Sequence, residues 1–230
     1  MIAIILNSGM GTRLKELTKN NPKSLVKITE NETIFSRAIK ILSKFDIDKF
    51  IITTGYLNII LENYANNFSN ISFKFIHNAE YETTNYIKSI DLIPDIDDDV
   101  ILLHGDLIFS EEVAEKIINS KVTTVVTDST IPLPKDDFKA KIMDNQVKCI
   151  STKYFEEDAI ACQPFYKFKK EDWKIWKKNI RKFCRNGEVN VYAENALTDE
   201  ITITPTDIKG DLCQEIDTVD DLNRIKELIK

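Results

Sequence analysis

A glycine-containing loop directly follows the first apolar run of the chain, and this arrangement restricts the fold more than any other feature. Residues 2–6 are continuously apolar, and they lead into the segment Leu6-Asn7-Ser8-Gly9-Met10-Gly11-Thr12-Arg13-Leu14. Such a run predicts a strand buried on both faces, as in a parallel sheet covered by helices. The two glycines let the backbone pass close to a ligand and direct several N–H groups at one anion. We therefore expect a buried strand that ends in an anion-binding loop.

Short apolar runs alternate with helical patterns over the first 130 residues. The pattern predicts strands at 50–53, 71–76, 100–103 and 122–126, and helices at 34–42 and 57–64. Ser110 is the predicted N-cap of another helix, whose first turn carries Glu111 and Glu112 near the positive end of the helix dipole. We expect an α/β fold in which helices flank a mostly parallel, Rossmann-like sheet.

The pattern changes after about residue 130. Two short runs, 141–143 and 147–150, flank Asp144 and Asn145, which predicts a β-hairpin. Residues 173–183 form an amphipathic helical pattern. Thr218 precedes the last helix, with Asp221 three residues later, in the manner of a capping box.

Two cations accompany the glycine loop. Arg13 offers a planar set of donors for phosphate oxygens, and Lys23 lies in the segment Pro22-Lys23-Ser24-Leu25. Two separated cations beside a backbone cradle suit a triphosphate, whereas a Gly-x-Gly alone could be a tight turn. The loop lacks the Gly-Lys-Ser/Thr ending of a P-loop, and it lacks the third glycine of a dinucleotide-binding fingerprint.

Composition excludes several classes of protein. The net charge of −6 argues against a nucleic-acid partner, because phosphate backbones attract basic surfaces. No apolar run approaches the ~20 residues that span a bilayer, and no signal sequence is recognisable, so we expect a cytoplasmic protein without membrane insertion. The four cysteines are widely spaced, which predicts reduced thiols.

The glycine loop together with the Pro-Lys-Ser-Leu segment resembles the signature of the sugar-nucleotidyltransferase superfamily. That signature usually has two alanines where Asn7 and Ser8 stand here. The segments 192–197 and 215–222 resemble parts of the small bacterial cytidylyltransferases that act on phosphocholine or phosphoglutamine. The middle of the chain, from about 130 to 190, matches only loosely.

This resemblance implies a single domain with the fold of nucleotide-diphospho-sugar transferases. Residues 1–130 would be the nucleotide-binding core, about 131–200 a small hairpin and helical lid that binds the acceptor, and 201–230 a return to the core. The implied reaction joins CTP to a small phosphorylated acceptor and releases pyrophosphate, for the decoration of bacterial cell-surface polysaccharide. The implied nucleotide-binding residues are Leu6, Asn7, Ser8, Gly9, Met10, Gly11, Thr12, Thr84, Asn85 and Ser89.

The resemblance also assigns the charged residues. Arg13 would hold the β- and γ-phosphates and Lys23 the phosphate near the reacting centre. Asp106, which follows the strand at 100–103, and Asp217, which precedes the last helix, would bind Mg²⁺ or Mn²⁺. A turn and a helix-entry acid are the alternative readings of these two aspartates. Glu215 is a weaker metal candidate that could serve only in a salt bridge.

His77 and His104 are expected to be structural, and the acidic run Asp95, Asp97, Asp98 and Asp99 to be a solvated loop.

The acceptor is less well defined by the sequence. Asn85 and Ser89 share a helix face and could read a pyrimidine edge, although Asn85 could simply cap the helix. Lys88 favours an anionic or zwitterionic acceptor, with L-glutamine phosphate as the first choice. Further acceptor-binding candidates are Lys141, Lys153 and Glu194.

Three other interpretations remain open at this point. An aromatic cage at Trp173 and Trp176 would favour phosphocholine, although core packing explains their helical spacing better. A sugar 1-phosphate is a further acceptor candidate. A catalytically silent nucleotide-binding regulator could use the same fold. The sequence does not indicate the oligomeric state.

Overall fold

A computed structural model of the chain describes residues 1–229. Its strands, in chain order, are β1 (Ile2–Asn7), β2 (Lys49–Thr54), β3 (Ser72–His77), β4 (Val100–His104), β5 (Leu107–Phe109), β6 (Thr124–Asp128), β7 (Lys139–Met143), β8 (Gln146–Ser151), β9 (Ala159–Phe168), β10 (Thr204–Asp207) and β11 (Cys213–Glu215). The α-helices are α1 (Ile34–Ser43), α2 (Asn58–Ala65), α3 (Tyr86–Leu92), α4 (Glu111–Ile118), α5 (Lys170–Arg185) and α6 (Val219–Leu228). Short 3-10 helices span Thr12–Leu17, Lys23–Leu25 and Ala193–Ala196.

The main sheet has the strand order β10-β6-β9-β4-β1-β2-β3. β1 lies between β2 and β4 and is parallel to both, with Ile4 beside Ile51 and Leu102. Ala3, Ile4 and Ile5 are almost completely buried, as expected for a central strand with helices on both faces. The prediction of a mostly parallel α/β sheet is therefore confirmed, and the predicted strands and helices lie close to the expected positions.

β9 is a central strand that the sequence analysis did not predict. It lies between β4 and β6 and is antiparallel to both. Gln163, Pro164 and Lys167 interrupt its apolar pattern, although β9 is buried along most of its length. We expected residues 131–200 to form a lid separate from the core. β9 lies within this segment, so part of the segment belongs to the middle of the main sheet.

The predicted hairpin is confirmed as β7 and β8. Asp144 and Asn145 at its turn have positive φ angles of 53° and 56°, as a tight hairpin turn requires. β9 extends past the carboxyl end of β4, and its first residues pair there with β7. The hairpin therefore stands beside the edge of the sheet where the parallel strands end.

β5 and β11 form a separate two-stranded antiparallel sheet, which the sequence analysis also missed. Both strands are only three residues long, too short for a periodic pattern to reveal. The backbone N–H of Ile216 donates to the carbonyl of Asp106 at 3.0 Å. This pairing brings the end of the chain against the loop that follows β4.

Two predicted helix caps are confirmed. The side chain of Ser110 accepts a hydrogen bond from the backbone of Val113, and Glu111 and Glu112 occupy the first turn of α4. Thr218 and Asp221 form the expected capping box at α6. These caps satisfy backbone donors that each helix start would otherwise leave unpaired.

Trp173 and Trp176 are completely buried. The ring of Trp176 stacks on Phe168, with centroids 4.7 Å apart. Both tryptophans therefore belong to the core under the sheet, and the alternative of an aromatic cage at this position is wrong.

The four cysteines are all free thiols. In residues 1–229 we find no helix with both the length and the apolar character needed to cross a membrane.

Candidate functional site

A cavity of about 500 Å³ opens at the carboxyl ends of β1 and β4. This is the edge at which open α/β sheets bind their ligands. Its lining includes the glycine loop, the start of α3 and the two aspartates proposed as metal ligands. The lining residues are Leu6, Asn7, Ser8, Gly9, Gly11, Thr12, Arg13, Lys23, Ser24, Asn78, Tyr81, Glu82, Thr83, Thr84, Asn85, Tyr86, Ser89, His104, Gly105, Asp106, Asn190 and Asp217.

Two glycines allow the loops of this site to approach one another. Gly11 has a φ angle of 63°, and a Cβ there would lie 2.9 Å from the Cβ of Lys23. A Cβ on Gly105 would lie 2.0 Å from Oδ1 of Asn7 and 2.8 Å from the carbonyl oxygen of Leu6. Glycine at these positions lets the loop after β1 contact both the lysine segment and the loop after β4.

Buried polar side chains form the floor of the cavity. The Ser89 hydroxyl donates to the Ser8 hydroxyl at 2.9 Å, and Ser8 donates to Thr53 at 3.1 Å. The Asn78 amide donates to Ser89 at 3.1 Å. Ser8 and Ser89 were predicted to bind nucleotide, and the structure brings them together in one network that fixes the loop after β1 against the start of α3.

Asn85 is the N-cap of α3, as the alternative interpretation expected. Its Oδ1 accepts a hydrogen bond from the backbone of Tyr86 at 2.7 Å. The side chain also lines the cavity, so its amide nitrogen remains as the group for a ligand. Asn85 thus supports the helix start and contributes to the cavity wall.

The centre of the cavity is a cluster of two cations and two carboxylates. Nζ of Lys23 lies 2.5 Å from Oδ2 of Asp106 and 2.7 Å from Oδ1 of Asp217. Nη2 of Arg13 lies 2.7 Å from the same oxygen of Asp217. Four residues predicted from separate parts of the sequence therefore meet at one point, because β5 pairs with β11.

Attraction between Lys23 and the two aspartates keeps these groups in their charged forms. Burial alone would lower the pKa of Lys23, but Asp106 and Asp217 raise it above the usual lysine value. Burial would likewise raise the pKa of Asp106, and Lys23 lowers it instead. Both groups are therefore ionised near neutral pH. Oδ1 of Asp106 is buried and has no hydrogen-bond partner among residues 1–229, so one acceptor remains open toward a ligand.

His104 and Glu215 form a hydrogen-bonded pair beside the cluster. Nδ1 of His104 lies 2.9 Å from Oε1 of Glu215. Burial, together with repulsion from Asp106, raises the pKa of Glu215 to about 7 despite the contact with His104. Glu215 also belongs to two groups of side chains whose ligand atoms lie within 4.8 Å of one another, one with His104 and Asp106 and one with Asp137 and Asp217, so both interpretations of Glu215 stay predictions. His104 also lines the cavity, a position that the sequence analysis did not expect.

Asp137 is a further acid that the sequence analysis missed. One of its carboxylate oxygens lies within 4.8 Å of ligand oxygens of Glu215 and Asp217. Burial raises its pKa, and the negative charge of Asp217 raises it further. In the sequence it resembles one of many loop acids, so only the fold reveals its position.

Four aromatic rings pack together beside the cavity, and two of them, Tyr86 and His104, line it. We call Tyr86, His104, Phe138 and Tyr192 the aromatic wall. Tyr86 lies 4.7 Å from His104 and 6.1 Å from Tyr192, and Phe138 lies 5.1 Å from Tyr192, measured between ring centroids. Tyr86 and His104 are part of the cavity lining, whereas Phe138 and Tyr192 lie outside it.

Glu194 lies behind this wall. Its carboxylate accepts hydrogen bonds from the hydroxyl of Tyr86 and, at 2.9 Å, from the hydroxyl of Tyr166. Glu194 is only 5% exposed. Burial raises the pKa of both tyrosines well above their usual value, so both hydroxyls stay protonated and donate.

The structure does not bring the four predicted acceptor-binding residues into the cavity. Nζ of Lys88 lies 3.8 Å from Oε2 of Glu80, and Nζ of Lys141 lies 3.7 Å from Oδ2 of Asp158. Lys153 is exposed in the turn after β8, and Glu194 is used by the two tyrosines.

Met10, which was predicted to bind nucleotide, is exposed and lies outside the cavity lining. Asn78 is a lining residue that the sequence analysis missed, although it follows β3 directly. The rule that indicated Asp106, a polar residue at the carboxyl end of a strand, would have found it.

Comparison with known proteins gives a consistent result. A family model described as nucleotidyl transferase matches residues 2–137. The CTP:phosphoglutamine cytidylyltransferase of Campylobacter jejuni is 31% identical over 166 aligned positions, which cover 68% of this chain and 64% of that relative. The choline-phosphate cytidylyltransferase of Streptococcus pneumoniae is 26% identical over 243 aligned positions, which cover 100% of this chain and 99% of the relative.

Solved structures share the fold over nearly the whole chain. The CTP:phosphocholine cytidylyltransferase from Streptococcus pneumoniae has a TM-score of 0.78 at 21% identity, covering 100% of this chain and 99% of that one. The inositol-1-phosphate CTP transferase from T. maritima has a TM-score of 0.80 at 18% identity, covering 99% and 94%. At these identities the likeness establishes the architecture.

Proposed function

This chain belongs to the nucleotidyl transferase family, and we propose that it is a CTP-dependent cytidylyltransferase acting on a small phosphorylated acceptor. The family resemblance drawn from the motifs is thereby confirmed. The observation that carries the proposal is the meeting of Arg13 and Lys23 with Asp106 and Asp217 in one cavity. A silent nucleotide-binding protein would need no such combination of phosphate-binding cations and metal-binding carboxylates.

In the proposed reaction an oxygen of the acceptor phosphate forms a bond to the α-phosphorus of CTP. The bond from that phosphorus to the bridging oxygen of the β-phosphate breaks, and pyrophosphate leaves. The second pKa of a phosphate monoester is ~6, so the attacking oxygen is already ionised at neutral pH and needs no general base. Catalysis then rests on alignment of the reactants and on stabilisation of charge.

The residues of the cavity suit these two tasks. The glycine loop and Arg13, whose side chain is largely exposed at the cavity mouth, would hold the β- and γ-phosphates and favour departure of pyrophosphate. Lys23 is buried deeper, between the two aspartates, and would hold phosphate oxygen at the reacting centre.

The site fits a divalent cation. Asp106 has a buried carboxylate oxygen without a hydrogen-bond partner among the described residues, and Asp217 lies close to it through their shared contact with Lys23. Carboxylate oxygens are the ligands that Mg²⁺ prefers, and Mn²⁺ accepts the same set. A cation held by Asp106 and Asp217 would neutralise phosphate charge in the transition state.

The choice of CTP rests on the named relatives. Two cytidylyltransferases with different acceptors resemble this chain at 31% and 26% identity. Thr84, Asn85 and Ser89 line the cavity next to the glycine loop and are the proposed contacts of the cytosine ring. Amide and hydroxyl groups can supply the mixed donors and acceptors that a pyrimidine edge requires.

L-glutamine phosphate is the first candidate acceptor, because the phosphoglutamine enzyme is a relative at 31% identity. Lys88 does not support this choice, because it lies outside the cavity lining and contacts Glu80. The Tyr86 ring and the carboxylates at the cavity favour a positively charged nitrogen, which phosphoglutamine carries in its amino group.

The Tyr86 ring makes phosphocholine the second candidate acceptor. The quaternary ammonium of phosphocholine would contact the aromatic ring, and it has no N–H group that needs a hydrogen-bond acceptor in the protein. Sugar 1-phosphates carry no positive charge and so lack this cation–π contact. We therefore rank them below both nitrogen-containing acceptors.

The test is pyrophosphate release with CTP, UTP, ATP or GTP, Mg²⁺, and each of L-glutamine phosphate, phosphocholine and glucose 1-phosphate. We expect release with CTP and one of the first two acceptors. An Asp106→Asn variant serves as the control for contaminating activity. Binding of CTP without turnover on any acceptor would favour the silent regulator, and a preference for UTP with glucose 1-phosphate would overturn the proposal.

A further inference from the structure

Lys139 is a lysine whose side chain is completely buried at the start of β7, between β8 and β9. Burying an ammonium group is costly unless the protein supplies hydrogen-bond acceptors. Its Nζ donates to the carbonyl oxygen of Pro134 at 2.8 Å and to that of Lys135 at 3.3 Å. It also lies 4.0 Å from the centre of the Phe155 ring, a favourable cation–π contact.

These contacts concern one particular loop. Residues 131–137 contain no regular secondary structure. Within the part of the chain that the structure describes, the hydrogen bonds to this segment are the two that Lys139 donates. The residue before the loop, Thr130, is fixed by Asp128. Its hydroxyl and its backbone N–H donate to Oδ1 of Asp128 at 2.7 Å and 2.9 Å. The ammonium of Lys139 is therefore the polar anchor of the loop between two fixed ends.

The anchored loop leads directly to the proposed acceptor end of the cavity. Asp137 lies near Asp217 and Glu215, and Phe138 belongs to the aromatic wall. The carbonyl of Phe138 accepts a hydrogen bond from the backbone of Cys162 in β9 at 3.0 Å, so Phe138 is fixed independently of the loop. Asp137 belongs to the loop itself, and a shift of the loop would move this acid, while the glycine loop and Lys23 lie on other segments of the chain.

We propose that Lys139 is a positioning residue for acceptor recognition: by binding the carbonyls of residues 134 and 135 it holds Asp137 beside Glu215 and Asp217, where the acceptor would bind. The inference rests on the proposed function for its kinetic consequence. The anchoring itself stands on geometry alone and can be measured without any substrate.

A matched control exists in the same sheet. Lys167 of β9 is also buried, and its Nζ donates to two backbone carbonyls, those of Ile118 and Ser120, both at 2.6 Å. Its partners are the end of α4 and the segment after it, away from the cavity lining. Lys139→Met and Lys167→Met therefore remove the same kind of charge from the same kind of site, and only the first change releases the loop.

The experiment compares the two variants with the wild-type chain by steady-state kinetics, using L-glutamine phosphate or phosphocholine, whichever the wild type accepts. We expect Lys139→Met to raise KM for the acceptor at least fivefold and to change KM for CTP less than twofold. Lys167→Met should leave both KM values within twofold of wild type. Equal acceptor KM values in the two variants would overturn the proposal.

Backbone ¹⁵N relaxation of the non-proline residues among 131–138, without substrates, supplies the second measurement, because it reports the mobility of a loop whose carbonyls, rather than N–H groups, make the hydrogen bonds. We expect lower order parameters there in Lys139→Met and unchanged order parameters in Lys167→Met. If Lys139→Met does not fold, Lys139→Gln replaces it, since its shorter, uncharged side chain cannot reach both carbonyls. Unchanged order parameters of the loop in the folded variant would overturn the anchor. An inactive wild-type chain would instead contradict the proposed function, and the relaxation comparison would still decide the anchor.

Discussion

The ammonium nitrogen of Lys23 lies 2.7 Å from Oδ1 of Asp217, although the two residues are 194 positions apart in the sequence. The same nitrogen also contacts Asp106. The lysine thus neutralises the two carboxylates that are proposed to hold a divalent cation. A cation held by Asp106 and Asp217 would compete with Lys23 for the negative charge of these carboxylates, and this competition has measurable consequences.

Replacing Lys23 with Met should expose this competition. Removing one partner of a buried ion pair costs about 3 kcal/mol, because the remaining charges lose their partner. We expect Lys23→Met to lower the melting temperature without Mg²⁺, and millimolar Mg²⁺ to stabilise the variant more than the wild type. Thermal unfolding with and without Mg²⁺ measures both effects. An equal or smaller response of the variant to Mg²⁺ would count against a metal site at Asp106 and Asp217.

Asp106 should be essential for turnover. Asp106→Ala removes the carboxylate with the open oxygen, and loss of one electrostatic stabiliser of a transition state typically costs 10²–10³ in rate. We expect turnover to fall at least 10²-fold, and similar losses in Arg13→Ala and Lys23→Ala. Asp95→Ala is the control, because Asp95 is an exposed partner of Arg181 outside the cavity lining. Near-normal turnover in Asp106→Ala would refute the assignment.

Replacing Gly105 or Gly9 with alanine should have different effects on stability. A Cβ at Gly105 would overlap Asn7 and the backbone of Leu6, whereas a Cβ at Gly9 would contact nothing within 4 Å. Gly105→Ala should therefore lower the free energy of unfolding, by about 1–3 kcal/mol, as for other overpacked sites.

Gly9→Ala should leave stability unchanged but raise KM for CTP, because the added methyl group obstructs close approach of the phosphates. Urea unfolding and steady-state kinetics separate the two effects. Equal losses of stability in both variants would contradict the steric argument.

The start of the chain and the end of β4 could be predicted because their chemistry is local. A continuous apolar run followed by Gly9, Gly11 and Arg13 carries its meaning within a few residues, and Asp106 follows its strand directly. The predictions for Lys88 and Lys141 were weaker for a physical reason. Each prediction depends on the direction in which a surface side chain points. Lys88 and Lys141 both contact acidic residues outside the cavity.

The rest of the site depends on long-range pairing. Asp217 reaches Asp106 only through the short strands β5 and β11, and no periodicity marks strands of three residues. β9 was missed because its polar residues are satisfied by distant partners, as when Lys167 binds the end of α4. Asp137 and the aromatic wall converge from separate loops, so the sequence alone gave no sign of their proximity.

Lys177 should produce a pH dependence of stability. It is 2% exposed, its Nζ donates to the carbonyls of Ile90 and Asp91, and burial lowers its pKa from 10.5 to about 8, with Arg181 adding to the effect. Below pH 8 the lysine is protonated in the folded and the unfolded chain, so its contribution to stability is constant.

Between pH 8 and 10.5 the unfolded chain binds more protons than the folded chain, and stability rises with pH. The measured quantity is the difference in free energy of unfolding between wild type and Lys177→Met. We expect this difference to rise by up to about 3 kcal/mol from pH 8 to pH 10.5. Asp91 and Asp95 oppose the shift, and the pKa of about 8 includes their effect. Chemical denaturation at several pH values measures it. Parallel curves for the two proteins would contradict a depressed pKa at Lys177.

The central claim is that an acceptor phosphate attacks the α-phosphorus of CTP. ³¹P NMR of one reaction containing CTP, Mg²⁺ and the accepted substrate tests this directly. We predict equal amounts of inorganic pyrophosphate and of a new diphosphate whose two phosphorus atoms are coupled, and neither product with Asp106→Asn. Release of orthophosphate, or formation of CDP without a bond to the acceptor, would contradict the account.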